Sequence, residues 1–183
     1  MKTYNVITSL LISLLFVSCS SPINLDTLEE TSNLVSFKKK GINIQYRAVK
    51  KLNFYEFNNH SMTFIIYQLN DINNFNLLMK EPKEREKLMS GRKFDNTVIS
   101  FEQFFIIPNK KGVITIDRVK GAKWVVLLAG YYNFNTKEDV YIAFQSLIKE
   151  KHWYDFDTEN IEYKALDIKV LFNQNKLQAE VVE

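Results

Sequence analysis

Cys19 is the only cysteine in this chain of 183 residues, and it closes the most apolar run, "LLISLLFVSCSS". A lone thiol offers burial as a small hydrophobe, redox or nucleophilic work as a thiolate, or acylation at a processing site. The run from Val6 to Val17 is about a dozen residues, short of the roughly 20 that cross a bilayer as a helix. It fits the apolar core of a secretory signal, about 7–15 residues behind a positive start, here Lys2. Phe16, Val17 and Ser18 then read as a bacterial lipobox, with phenylalanine where leucine is usual. Only acylation explains why the cysteine stands at this point. The expectation is a cut after Ser18 and a covalent lipid, such as palmitate, on Cys19. Each buried methylene contributes about 0.8 kcal/mol, and one acyl chain alone binds membranes only reversibly. A diacylglycerol, usually with a third chain, makes the anchor lasting. Ser20 follows the cysteine where an aspartate would retain the chain in the inner membrane. The outer membrane, facing the periplasm, is therefore the expected location.

Beyond Cys19, residues suited to chemistry are few. His60 and His152 are the only histidines. Asp155, Asp157 and Glu159 alternate in "DFDTEN" as calcium ligands can, but the sixth position of the loop is Asn160, where an EF-hand needs glycine for its turn. The default reading is a solvated loop, and His152 beside Trp153 and Tyr154 reads as a rim aromatic cluster. No phosphate loop, HExxH or nucleophile elbow is present. No catalytic set, cofactor, metal or small-molecule substrate is expected. Lys and Arg total 24 against 21 acidic residues; losing residues 1–18 leaves 165 residues at +2. That charge is too balanced to suggest nucleic acid.

The elements that must carry any site follow from periodicity. Residues 19–41 read as the lipidated cysteine plus a polar tether ending in Lys38, Lys39 and Lys40; three lysines are fewer than the usual headgroup-binding cluster of about 4–8. Residues 42–183 read as one domain. In "INIQYRAV", Ile42, Ile44, Tyr46 and Ala48 alternate with polar residues, a half-buried strand. "MTFIIYQL" is apolar on both faces, an inner strand. "NDINNFNLLMKEP" changes to helical spacing, with Ile72, Phe75, Leu78 and Met79 on one face; "KEREKLMSG" adds a second turn closed by Gly91. Strands resume at "TVISFEQFFIIP", "VITID" and "KWVVLLAGYY". "TKEDVYIAFQSLIKEKHWY" is expected as a helix, with Val140, Phe144, Leu147 and Lys151 in line, although its β-branched and aromatic content also suits a strand. "ALDIKVLF" and "LQAEVV" form a hairpin across "NQNK". About seven strands and two helical insertions make a mainly β, two-layer sandwich.

Between the first two strands lies "LNFYEFNNHS". Phe54, Tyr55 and Phe57 sit there among Leu52, Asn53, Glu56, Asn58, Asn59, His60 and Ser61. Aromatics in a polar connection either pack inward, continuing the strands, or meet a partner as interface anchors. Composition leaves these two readings balanced.

The order of features resembles the outer-membrane lipoprotein of the type VI secretion system, the TssJ (VasD-like) family. A lipobox and tether precede a strand, a polar connection and "FIIYQLNDINNFNLL", with Tyr67, Gln68 and Leu69 as its strand-end motif and Phe75, Leu77 and Leu78 after it. "IIPNKKG" (Ile106 to Gly112) and Trp124 to Tyr132 follow in matching order. The likeness runs from Ile42 to Tyr132 and weakens beyond Asn133. It implies a transthyretin-like sandwich with a helical insertion and a non-catalytic role as outer-membrane anchor of the secretion complex. It also implies that the Leu52–Ser61 loop contacts the periplasmic C-terminal domain of a TssM (IcmF-like) inner-membrane protein, Tyr55 and Phe57 as anchors and Asn53, Asn58 and Asn59 as polar rim. The alternative from residues alone is a periplasmic or surface β-sandwich lipoprotein that binds a polysaccharide or another envelope protein.

Overall fold

The computed structural model describes residues 37–135, 137–145, 149–150, 162–163 and 165–182. Cys19 and the Asp155, Asp157, Glu159 group lie outside them. The elements run β1 (Lys38–Ala48), β2 (Phe54–Tyr55), β3 (Asn58–Asn59), β4 (Met62–Leu69), α1 (Asn73–Leu78), α2 (Pro82–Met89), β5 (Val98–Ile106) and β6 (Lys111–Arg118). They continue as β7 (Trp124–Ala129), β8 (Val140–Phe144), β9 (Lys149–Glu150), β10 (Glu162–Tyr163), β11 (Leu166–Phe172) and β12 (Leu177–Val181). β1 begins at Lys38, ahead of the expected start at Ile42.

Two four-stranded sheets face each other, ordered β12-β11-β1-β6 and β5-β4-β7-β8. The second is antiparallel throughout. In the first, β1 runs parallel to β11, pairing Ile42 with Leu166 through Ala48 with Phe172. The fold is the mainly β sandwich expected from the sequence.

Ile42, Ile44 and Ala48 of β1 turn inward, as their alternation requires, against Phe64, Ile66, Leu127, Ile168 and Phe172. β4 is buried on both faces for a specific reason. Its even-numbered residues fill the space between the sheets, while Ile65, Tyr67 and Leu69 face outward beneath the helical insertion with Phe75, Met79 and Leu88. The "YQL" motif closes both layers. The Tyr67 hydroxyl donates to the Leu88 carbonyl at 2.7 Å and to that of Arg92 at 3.2 Å, tying the strand to the end of α2. Burial pushes that phenol up to about 12. Gln68 staples the sheets, its Nε2 donating to the Asp117 carbonyl at 2.8 Å and its Oε1 accepting from the Val119 N–H at 2.9 Å.

Pro82 opens α2 rather than merely ending α1, a position where its missing N–H costs nothing. Asp71 Oδ1 accepts from the Asn73 N–H at 2.7 Å, and Gly91, at φ +59°, follows the last turn of α2 as expected.

One expectation is overturned. Residues 140–144 form strand β8 instead of a helix, antiparallel to β7 with Trp124 opposite Phe144 and Leu128 opposite Val140. Ala143 faces the core while Ile142 and Phe144 face out. An edge strand exposed on one face leaves the spacing of Val140 and Phe144 compatible with either period, and pairing to the buried β7 decides it. Leu147 and Lys151 lie outside the described residues.

Candidate docking hairpin

The Leu52–Ser61 connection is a hairpin. Phe54 pairs with Asn59 and Tyr55 with Asn58 across β2 and β3. Glu56 and Phe57 form its tip at φ +49° and +62°. Two consecutive positive φ values fit the right-handed twist of a tight hairpin, a turn normally built from Asn-Gly. Bulky side chains there are strained. Phe57 is nonetheless 95% exposed, so nothing in its own fold repays that strain.

The base is held firmly. Leu52 is fully buried, and its carbonyl accepts from the His60 N–H at 3.2 Å. Asn53 is buried at φ +44°, and its Oδ1 accepts from the Tyr132 N–H at 2.8 Å. It is therefore a bracket to the β7–β8 loop and not a rim residue, because only a short polar side chain takes this conformation and reaches that N–H. Tyr55 lies between two rings, His60 at 3.7 Å and Tyr132 at 4.1 Å between centroids, both nearly parallel to it. It is half-buried and buttresses the hairpin more than it presents a face. Phe54 is half-buried with Lys51 Nζ 5.5 Å over its ring. Glu56, Asn58, Asn59 and Ser61 are exposed, and Asn58 Nδ2 donates to the Glu56 carbonyl at 3.0 Å across the tip. Phe105, Ile107 and Tyr132 add exposed hydrophobic surface at this end.

Tyr132 was not distinguishable in the sequence, since its partners are some eighty residues away. Its loop is anchored on both sides. The Tyr131 hydroxyl donates to the carbonyls of Asn173 and Lys176 at 3.0 and 2.8 Å. The Asn135 N–H donates to Asp139 Oδ2 at 2.6 Å. Asp139 is fully buried, and its Oδ1 has no hydrogen-bond partner. Burial, the largest cause, and the nearby Glu138 raise its carboxyl to about 6, against the pull of the Asn135 N–H.

A carboxyl raised on folding stabilises the fold fully below its ordinary value of 3.8, and that contribution is lost as pH rises through about 6. The native chain should therefore lose about 1 kcal/mol of urea stability between about pH 5 and pH 7 from this group. Glu102, also raised by burial and then by Asp117, acts in the same sense. The difference between the native chain and Asp139→Asn isolates the buried group: the substituted chain should show a flatter profile over this interval. Parallel profiles would contradict the assignment.

Among the described residues, no three His, Cys, Asp or Glu side chains come together as a metal site, and no helix is long and apolar enough to cross a membrane. Fold and site together define a two-layer β-sandwich that presents one rigid aromatic hairpin. The family model of type VI secretion lipoproteins (VasD, EvfM, TssJ) matches residues 40–159, more than half of the sequence, and the chain belongs to this family. No curated protein matches. The type VI lipoprotein TssJ1 from Pseudomonas aeruginosa has a similar fold, with TM-score 0.56 and 9% identity over 78% of this chain and 95% of that one. Serratia marcescens Lip, a membrane-bound component of the type VI secretion system, gives TM-score 0.56 and 14% identity over 78% and 95%. A structure described as the TssM C-terminal domain from EAEC contains a chain similar at TM-score 0.55 and 14% identity over 78% and 97%.

Proposed function

We propose that this lipoprotein is acylated at Cys19, sits in the outer membrane facing the periplasm, and docks the periplasmic C-terminal domain of a TssM-like inner-membrane protein as a non-catalytic scaffold. Membership of the type VI secretion lipoprotein family supports the anchor and the secretion role. The observation that carries the docking surface is Phe57, 95% exposed on a positive-φ turn over a three-ring buttress. The buttress holds the hairpin under that tip, so docking has little main chain to order, which is how preorganised loops gain affinity. Strain at a solvent-facing tip is retained where it serves recognition.

The test is capture from host membranes with the chain tagged at its C-terminus. An inner-membrane protein with a large periplasmic domain should co-purify after detergent extraction. Retention on envelope polysaccharide with no such protein would instead favour a glycan-binding lipoprotein and overturn the docking role.

A further inference from the structure

The end of the sandwich opposite the hairpin gathers lysines that the sequence scatters. Lys38, Lys39 and Lys40 open β1, where the pairing with β6 slips between Lys38 and Ile42. Lys39 and Lys40 are exposed there. Lys38 stands opposite Arg118, the last residue of β6, so the β6–β7 turn brings exposed Lys120 and half-buried Lys123 beside the run. That turn is fixed by the Gln68 staple and by the Lys123 N–H donating to the Leu69 carbonyl at 2.8 Å. Asp117 is exposed in this group, its Oδ1 accepting from the Lys40 N–H at 2.8 Å, and half-buried Asp71, Asp95 and Asp167 lie at the same end. Exposed aromatics stand at the same end. Phe37 is 58% exposed, and Phe144, 54% exposed, meets Trp124 edge-on at 4.8 Å.

We propose that this end is a membrane-contact face: its lysines pair with anionic phospholipid headgroups while Phe37 and Phe144 enter the interfacial layer. The proposal rests on the reading of Cys19 as the anchor, and two observations point to lipid as the occupant. The chain ahead of the described residues joins at Phe37, on this face, and residues 20–36 span at most about 60 Å, so the leaflet is always near. A connection of this length holds a face at an effective concentration of about millimolar, enough for a weak patch to engage. The charge also fits. Three lysines in sequence fall short of a headgroup-binding cluster, whereas Lys39, Lys40, Lys120 and Lys123 at one end of the fold reach the lower edge of the usual range of about 4–8. Basic residues with aromatics are the composition of surfaces that lie in the interface. The hairpin then points away from the leaflet, about 25 Å off along the eight residues of β4, toward a partner coming from the inner membrane.

The test uses the chain from residue 19 onward, unlipidated and carrying Cys19→Ser, co-sedimented with mixed phosphatidylglycerol–phosphatidylcholine vesicles and with phosphatidylcholine alone. Binding is expected only to the mixed vesicles and should fall with added salt. Lys39→Gln, Lys40→Gln and Lys120→Gln together should weaken it on the order of a hundredfold, about fivefold per lysine. The same number of charges removed at the hairpin end, Lys50→Gln, Lys51→Gln and Lys110→Gln, should leave it unchanged. Equal binding to both vesicle types, or equal loss from both triple variants, overturns the proposal. Because this chain bears no lipid, a negative result leaves the anchor reading intact, and absence of acyl groups from the native protein would not alter the vesicle result.

Discussion

A chain secreted through a non-lipoprotein signal, with Cys19→Ser at its mature start, is expected to wash off periplasmic membranes in high salt, while the native protein leaves the membrane only in detergent. The effect should be close to all-or-none. At about 0.8 kcal/mol per methylene, one fourteen-carbon chain gives a marginal association constant of about 10⁴ M⁻¹, and a second or third chain makes release negligible. Replacing the signal as well as the cysteine matters, because an uncut apolar run from Val6 to Val17 would itself hold the chain at the inner membrane. Intact mass gives the direct check. The native protein should begin at Cys19 and carry the added mass of its acyl groups. A mass retaining residues 1–18, or an unmodified Cys19, would sink the anchor. The released chain should still bind its partner in solution, since the hairpin and its buttress lie wholly within residues 52–132. Secretion should nevertheless fail under the proposed role, because a scaffold without its acyl chains no longer holds its partner at the membrane.

Most of the sandwich was legible because its patterns are local. The alternation of Ile42, Ile44, Tyr46 and Ala48, the two-sided apolar run of β4 and the helical face carrying Phe75 each announce their burial within one element. The Tyr67-Gln68-Leu69 motif was legible as a resemblance, but its physical meaning was not. Its hydroxyl and amide reach Leu88, Arg92, Asp117 and Val119, partners between 20 and about 50 residues away. The parallel pairing of β1 with β11 leaves no local trace at all, since Ile42 and Leu166 meet only through the closed fold. β8 reads as a helix in the sequence because its outward positions Ile142 and Phe144 are apolar, which erases the alternation that a strand exposed on one face normally shows.

The candidate site stands out in the sequence for its aromatics, yet four of its ten residues have other duties. Leu52 and Asn53 are buried, Tyr55 and His60 support, and the hairpin itself was invisible because Glu56-Phe57 contradicts turn chemistry. The same contradiction is what makes Phe57 informative. Where local preference and structure disagree at an exposed position, folding does not explain the residue.

Replacing the tip by the turn it lacks should therefore move stability and binding in opposite directions. Glu56→Asn with Phe57→Gly supplies residues that take positive φ readily. Two strained non-glycine residues cost roughly 1–2 kcal/mol each, some of it offset by the lost freedom of glycine in the folded hairpin. The substituted chain should gain up to about 1 kcal/mol against urea, and the β2–β3 amides should exchange more slowly. Its affinity for the partner domain should drop by 2–4 kcal/mol, roughly 30- to 1000-fold, as for a central aromatic hot spot. Tyr55→Ala should instead lower both quantities, because it empties the stack between His60 and Tyr132. Opposite signs in the first variant separate docking from folding, which a truncation to alanine at a supporting ring cannot do. Unchanged partner affinity in a stabilised Glu56→Asn, Phe57→Gly chain would remove Phe57 from the interface and leave its exposure without a function.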